Sequence, residues 1–151
     1  MFSHIKQTEN NTCMTCVMAM IVGETEQYVL DWFEYIDPPF YDEDAMIFLI
    51  HHGFFLSMGL FISPETKLTN EIMGDITMSI SFKDRPAFLI VDSPRTEGLS
   101  HAVLWDGKVV LDPLFDEKRN IEDYVVDTIF PITMSRRRYN KLMEGKNDSR
   151  S

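Results

Sequence analysis

Residues 101–113 read HAVLWDGKVVLDP, and this stretch decides how the second half of the chain folds. Two apolar runs flank Asp106-Gly107, a dipeptide that strongly favours a two-residue hairpin turn between antiparallel strands. With this turn in the middle, the pairing continues outward until His101 stands opposite Asp112, with Cβ atoms roughly 5 Å apart. The hairpin therefore predicts an imidazole oriented by a carboxylate, although such a pair taken alone is slightly more often an ordinary cross-strand contact on an exposed face.

Helical patterns occupy the first half of the chain, and strand patterns occupy the second. The predicted helices cover about residues 13–22, 25–36 and 42–53. The second helix is expected to bury five side chains, which are Tyr28, Val29, Trp32, Phe33 and Ile36. Strands are predicted near residues 54–62 with a break at Gly59, at 76–82, at 86–91, in the hairpin and at 129–134, with a short helix near 121–126. Helices followed by a largely antiparallel sheet define an α+β class.

Composition excludes several classes of protein. The chain has 151 residues, of which 44% are apolar, and it carries a formal charge of −10, so a folded domain is expected rather than a disordered chain or a nucleic-acid binder. Two cysteines exclude a disulfide-rich secreted scaffold. The sequence has no apolar run of membrane-spanning length and no signal peptide pattern, so we expect no membrane partner and a cytoplasmic location. Dinucleotide, phosphate-loop, zincin and hydrolase-elbow motifs are also absent, and no cofactor or metal is expected.

Charge divides the chain into two parts. Residues 135–151 contain six Lys or Arg and two Asp or Glu, a net charge of +4 that leaves −14 on residues 1–134. We expect a single domain over 1–134 and a basic, partly disordered tail over 135–151. The run Arg136–Arg138 has the charge to hold an acidic partner, while the alternative is a solvated tail that docks loosely on its own acidic domain.

A candidate nucleophile stands at the start of the first helix. Free backbone N–H groups and the helix dipole at Cys13 lower a thiol pKa, and a thiolate paired with an imidazole such as His101 can attack a carbonyl carbon. Gln7, six residues earlier, has a side-chain amide that can join the Cys13 backbone N–H in binding an oxyanion. Cys16 lies one turn further along among apolar residues and is expected to be a small core residue.

Two other interpretations use the same cysteines. Cys13 and Cys16 have the spacing of a dithiol redox motif, but residues 1–12 lack the preceding strand that usually accompanies one. Both cysteines with His51 and His52 have the ligand types of a zinc site. Adjacent helical residues point about 100° apart, which argues against both imidazoles meeting one ion.

Together these residues resemble the papain-fold cysteine peptidases, in particular peptidase family C39, the bacteriocin-leader peptidases and their free-standing relatives. The matching stretches are residues 7–21 (QTENNTCMTCVMAMI), 45–53 and 86–113, in the family's order. The resemblance implies a papain-like fold in which N-terminal helices pack on a C-terminal antiparallel sheet. It also implies that Cys13 is the nucleophile, His101 the general base, Asp112 its orienter and Gln7 the oxyanion donor.

The resemblance predicts a cysteine peptidase that cleaves peptide or isopeptide bonds in a protein or peptide substrate through an acyl-thioester. Papain-type enzymes use the second Cys of a C-x-x-C, which keeps Cys16 as an alternative nucleophile. Met14 stands where the family usually has Gly after the nucleophile, so an inactive protein-binding module on the same fold is the alternative function. Deamidation or acyl transfer would use the same thioester chemistry.

Overall fold

A computed structural model describes residues 2–74 and 81–148, and over these residues the helices come first and the sheet follows. The helices are α1 (Cys13–Val22), α2 (Glu26–Trp32), α3 (Asp42–His51), α4 (Asn70–Met73) and α5 (Arg136–Asp148), with a 3-10 turn at Ile121–Asp123. The strands are β1 (Phe54–Leu56), β2 (Leu60–Phe61), β3 (Ala87–Asp92), β4 (Ser100–Trp105), β5 (Val110–Leu111) and β6 (Val126–Met134). None of the helices in this described part is long and apolar enough to cross a membrane.

The described strands form one antiparallel sheet in the order β1-β6-β3-β4-β5, and β2 also pairs with β6. The neighbouring inner strands β3 and β4 pair from Ala87↔Trp105 to Asp92↔Ser100. Because side chains alternate along a strand, Ala102 and Leu104 enter one apolar cluster while Val103 and Trp105 enter the other. The α+β class predicted from the sequence is confirmed.

Helix α1 runs through the middle of one of these clusters. Every residue from Met14 to Val22 is buried, as expected for a helix that is apolar all round. Its bounds match the predicted ones, and Gly23 ends it in the left-handed conformation at φ 78°, with its N–H donating to the Ala19 carbonyl. Helices on one side and the sheet on the other therefore hold the start of α1 in a fixed position.

The hairpin between β4 and β5 turns one residue later than predicted. Gly107 and Lys108 are the central residues, because the Asp106 N–H donates to the Val109 carbonyl at 3.1 Å. The Asp106 carboxylate accepts from the N–H groups of Lys108 and Val109, both at 2.9 Å, so this aspartate opens the turn instead of lying inside it. The predicted register was therefore wrong by two residues. The observed partners are Leu104↔Leu111 and Trp105↔Val110.

Helix α2 is shorter than predicted and ends at Trp32. Just after this end, the ring of Phe33 stacks on that of Phe40 with centroids 4.4 Å apart. Tyr28, within α2, and Ile36, beyond its end, were predicted to be buried but are exposed, and Trp32 is half-buried.

Three further predictions concern the extent of elements in the second half of the chain. Most of the strand predicted for residues 76–82 lies outside the described residues, and Phe82, at its end, is fully buried without belonging to a strand. The helix predicted for 121–126 is a single 3-10 turn, and β6 begins at Val126, three residues before its predicted start. The extra residues of β6 let it pair with β3 along its length.

The basic segment after β6 contains helix α5, which the charge argument did not predict. Arg138 anchors it, because its guanidinium donates to the Val22 carbonyl at 2.5 Å and lies 5.2 Å from the centre of the Phe54 ring. This contact satisfies a carbonyl at the C-terminal end of α1, where intrahelical donors run out. Arg136 and Arg137 are the two arginines of the run that remain exposed.

Candidate active site

Cys13 is the first residue of α1, as predicted. The hydroxyl of Thr12, the residue before it, donates to the Glu9 carbonyl and makes no capping bond to the helix. The first N–H groups of α1 are therefore not capped by this side chain, and their partial positive charge acts on the Cys13 sulfur. The thiol itself is half-buried and free of any disulfide.

His101 and Asp112 form the predicted pair. The ring Nε2 of His101 lies 2.6 Å from Asp112 Oδ1, and the exposed fractions of the two side chains are 5% and 0%. Since Nε2 is engaged by the carboxylate, Nδ1 is the ring nitrogen left to face Cys13, which lines the same cleft as His101. The structure therefore brings Cys13, His101 and Asp112, the residues predicted to act together, to one place.

His101 and Asp112 still meet although the observed hairpin register differs from the predicted one by two residues. Extending the observed register places Asp112 opposite Val103, two residues from His101. Side chains repeat on the same face every two residues, and diagonal neighbours remain within reach of long side chains. A one-residue change would have put the two groups on opposite faces.

Three pKa shifts accompany this geometry. Burial raises the pKa of the Cys13 thiol, but the net shift is downward because the His101 ring and the backbone N–H groups of Ala102 and Met14 stabilise the thiolate. Burial lowers the pKa of His101, yet its contacts with Asp112 and Cys13 raise it to about 9. Burial raises the pKa of Asp112, and its contacts with His101 and with its other hydrogen-bond donors lower it overall. The three shifts favour a thiolate–imidazolium pair near neutral pH.

Tyr124 is a member of the site that the sequence analysis missed. Its hydroxyl donates to Asp112 Oδ2, while the Leu114 N–H donates to Oδ1 at 2.9 Å. The guanidinium of Arg119 lies 5.7 Å from the centre of the Tyr124 ring and 3.8 Å from that of Phe115. No local pattern pointed to these residues, because the contact with Asp112 depends on how the loop after β5 folds back on the sheet.

Gln7 is held next to the end of β5, where its backbone N–H donates to the Pro113 carbonyl at 2.8 Å. One N–H of its side-chain amide donates to the Glu9 carbonyl at 2.7 Å. Its amide oxygen is buried and has no hydrogen-bond partner among the described residues. The amide nitrogen has two hydrogens, so one is left for an oxyanion, and that role stays a prediction.

Cys16 lies in a different environment from Cys13. It is fully buried, and its thiol donates to Glu26 Oε2 at 3.5 Å. Burial and the Glu26 carboxylate raise the pKa of this thiol strongly. A buried, protonated thiol is a poor nucleophile, so the geometry favours Cys13 over this alternative.

His51 and His52 do not approach the cysteines. The two ring nitrogens of His52 are engaged by the Phe48 carbonyl at 2.7 Å and the Tyr28 hydroxyl at 2.9 Å, and His51 packs beside Trp32. Residues 2–74 and 81–148 contain no group of three or more His, Cys, Asp or Glu side chains arranged to hold a metal ion.

A cleft of about 740 Å³ opens beside Cys13 and His101. Its walls come from the start of α1, the loop before α3, the β1–β2 edge and the faces of β3, β4 and β6. Met14 contributes to this wall and is itself buried.

No protein-family model and no curated protein matches the sequence of this chain.

Proposed function

We propose that the protein is a cysteine hydrolase of papain-like architecture, acting on peptide or isopeptide bonds. The observation that carries the proposal is that Cys13, at the uncapped start of α1, shares a cleft with a buried His101 whose Nε2 lies 2.6 Å from Asp112. This arrangement supplies a nucleophile, a base and an orienting group at the edge of a cleft large enough for a peptide segment.

The proposed reaction proceeds in two halves. The Cys13 thiolate attacks the substrate carbonyl carbon, and the oxyanion is bound by the Cys13 backbone N–H and the Gln7 amide. The His101 imidazolium gives its Nδ1 proton to the leaving amine as the carbon–nitrogen bond breaks, and an acyl-thioester remains. Neutral His101 then takes a proton from water, which attacks the thioester, and the acid product leaves as the thiolate–imidazolium pair is restored.

Asp112 has a positioning role in this proposal. Its contact with Nε2 keeps the ring oriented with Nδ1 toward Cys13 and stabilises the imidazolium. Tyr124 and the Leu114 N–H hold the carboxylate in turn. The free thiols of Cys13 and Cys16 are consistent with a reducing compartment, and we propose the cytoplasm as the site of action.

The proposal is tested by the rate of Cys13 alkylation with iodoacetamide as a function of pH. Wild-type protein, Cys16→Ala and His101→Ala are compared, with the Cys16 variant serving as the control that leaves a single thiol. We expect rapid labelling that persists below about pH 7 in the first two proteins and is slowed by His101→Ala. Labelling that rises only near the free-thiol value of about 8.5 and ignores His101 would contradict the proposal.

One observation favours the second candidate, a binding module without catalysis. Met14 lines the cleft directly after the nucleophile, where it narrows the approach to Cys13. Mass spectrometry of a peptide pool incubated with wild-type protein, and with Cys13→Ala as the control, separates the candidates. Cleaved peptides support hydrolysis, released ammonia without cleavage supports deamidation, and unchanged peptides that bind support the module.

A further inference from the structure

The floor of the cleft is a row of four side chains that crosses the sheet from its edge to the nucleophile. Phe61 pairs with Thr128, Thr128 with Ile90, and Ile90 with Ala102. Directly paired residues share a face of the sheet, and all four line the cleft. Ala102 ends the row at Cys13, because its backbone N–H stabilises the Cys13 thiolate.

The length of this row sets how much of a bound chain it can contact. Three strand spacings of about 4.8 Å place the Phe61 end roughly 14 Å from the Ala102 end. An extended chain advances about 3.4 Å per residue, so a peptide lying along the row covers roughly four residues between the attacked carbonyl and Phe61.

Two large apolar side chains at the Phe61 end of the row are exposed to solvent. Phe61 and Met58 are 86% and 89% exposed, yet both line the cleft. Gly59, between them, lies against the floor, since a Cβ at this position would come within 2.8 Å of Thr128 and 2.9 Å of Phe130. Because Gly59 has no side chain, the β1–β2 edge can lie close to β6, and the side chains of Met58 and Phe61 lie at the rim of the cleft.

Apart from Cys13 and His101, which is paired with Asp112, the charged side chains at the cleft are acidic. Asp127 is exposed at the Phe61 end, and Asp42 stands at the start of α3 on the opposite wall. Among the described residues that line the cleft there is no Lys or Arg. The formal charge of −14 on residues 1–134 adds a long-range field of the same sign, which attracts cationic chains and repels anionic ones.

Building on the proposed function, we propose that the substrate is an extended, basic peptide segment. It places a bulky apolar side chain against Phe61 and Met58, roughly four residues from the attacked carbonyl, and an adjacent Lys or Arg side chain against Asp127. The apolar contact supplies most of the affinity, and the acidic rim selects charge and speeds encounter.

The test uses three matched pools of rhodamine-labelled decapeptides. The first contains large apolar residues together with Lys and Arg, the second replaces the basic residues by Glu, and the third replaces the large apolar residues by Ala. Binding is measured by anisotropy on Cys13→Ala protein, which cannot form a thioester. Protection of Cys13 from iodoacetamide is measured on the wild type.

Matched variants locate the contact. Phe61→Ala should weaken binding of the first pool about tenfold, the loss expected when one large apolar contact is removed. Asp127→Asn should weaken it about threefold, with the difference disappearing in high salt. The controls are Tyr35→Ala and Asp123→Asn, which make comparable substitutions at exposed residues outside the cleft. Both controls should leave binding unchanged.

The outcomes separate this inference from the proposed function. Preference for the first pool, lost on Phe61→Ala, supports the inference whether or not any peptide is cleaved. Equal cleavage of peptides from all three pools would support the proposed hydrolase activity and would overturn the inference about the substrate. Equal or tighter binding of the Glu pool, or no binding by any pool, also overturns it.

Discussion

The strongest prediction concerns Asp112→Asn, a change that removes one charge while keeping the shape of the site. Oδ1 of Asp112 accepts from the Leu114 N–H at 2.9 Å as well as facing His101. In the variant the Leu114 N–H still needs an acceptor, so the amide oxygen takes the position of Oδ1 beside His101. The amide NH₂ then faces the Tyr124 hydroxyl, which can accept a hydrogen bond from it. The hydrogen bonds are kept and the negative charge is lost.

The expected size of the effect follows from the His101 shift. Burial lowers the pKa of His101, and the contacts with Asp112 and Cys13 raise it from 6.5 to about 9. At about 1.4 kcal/mol per pKa unit, this is roughly 3 kcal/mol in favour of the imidazolium. Of the two groups that raise the pKa of His101, Asp112 contributes more than Cys13. Loss of the Asp112 charge should therefore remove about half or more of the stabilisation of the imidazolium. The pH midpoint of Cys13 labelling should then rise by about one pH unit or more, because the thiolate depends on the imidazolium.

The assay is the iodoacetamide rate between acid and alkaline pH in a Cys16→Ala background. Asp116→Asn is the matched control, since Asp116 is exposed and pairs only with Lys6 among the described residues. Circular dichroism establishes that all proteins are folded. A labelling midpoint in Asp112→Asn equal to that of the control would refute the ion-pair account of the site.

Acid stability gives an independent readout of the same substitution. The pKa of Asp112 is below its ordinary value of 3.8 in the folded protein, because its contacts with His101 and Tyr124 outweigh the burial that raises it. Its contribution to stability is therefore present above 3.8 and is lost as pH falls through the lowered value. Urea denaturation at several acid pH values should show this loss in the wild type and a weaker dependence in Asp112→Asn.

Three other substitutions test contacts around the site and the fold. Tyr124→Phe leaves Asp112 without one buried donor, and we expect a loss of about 1–2 kcal/mol in the free energy of unfolding with a small rise in the labelling midpoint; an unchanged midpoint and stability would contradict the contact. Arg138→Met keeps the apolar stem but loses the bond to the end of α1, so urea denaturation should show a loss of about 1–2 kcal/mol while Cys13 labelling stays the same. Gly107→Ala should destabilise more than Gly98→Ala, because both glycines have positive φ but a Cβ at 107 meets the backbone of a neighbouring loop at 2.8 Å and one at 98 meets nothing within 4 Å; equal losses of stability in the two would argue against this clash.

Local patterns predicted much of the secondary structure. The apolar spacing and the terminal Gly23 predicted the bounds of α1, and the acidic start at Asp42 predicted α3. These signals lie within one or two turns of chain, where capping and side-chain period act directly. The same reasoning was wrong for α2, because the stack of Phe33 on Phe40 that accompanies its early end involves a residue seven positions away.

The pairing of His101 with Asp112 was predicted from the hairpin, although the hairpin's register was not. Gly107 was correctly predicted as a central turn residue, but Asp106 was not, because its side-chain bonds place it before the turn and move the turn forward by one residue. Because a two-residue shift keeps every side chain on its face, the error in register did not separate the pair.

Local sequence was enough to predict the start of α1 at Cys13, the order of helices before sheet and the face shared by His101 and Asp112, since each depends on neighbours along the chain. Long-range packing set the bond from Tyr124 to the Asp112 carboxylate, the contact of Cys16 with Glu26, and the row of side chains that leads from Phe61 to Ala102 beside Cys13. Those features join segments far apart in sequence, or turn on which side of a helix faces the core. They are set by packing across the whole sheet, and no local periodicity encodes the distance between two segments that meet only when the chain has folded.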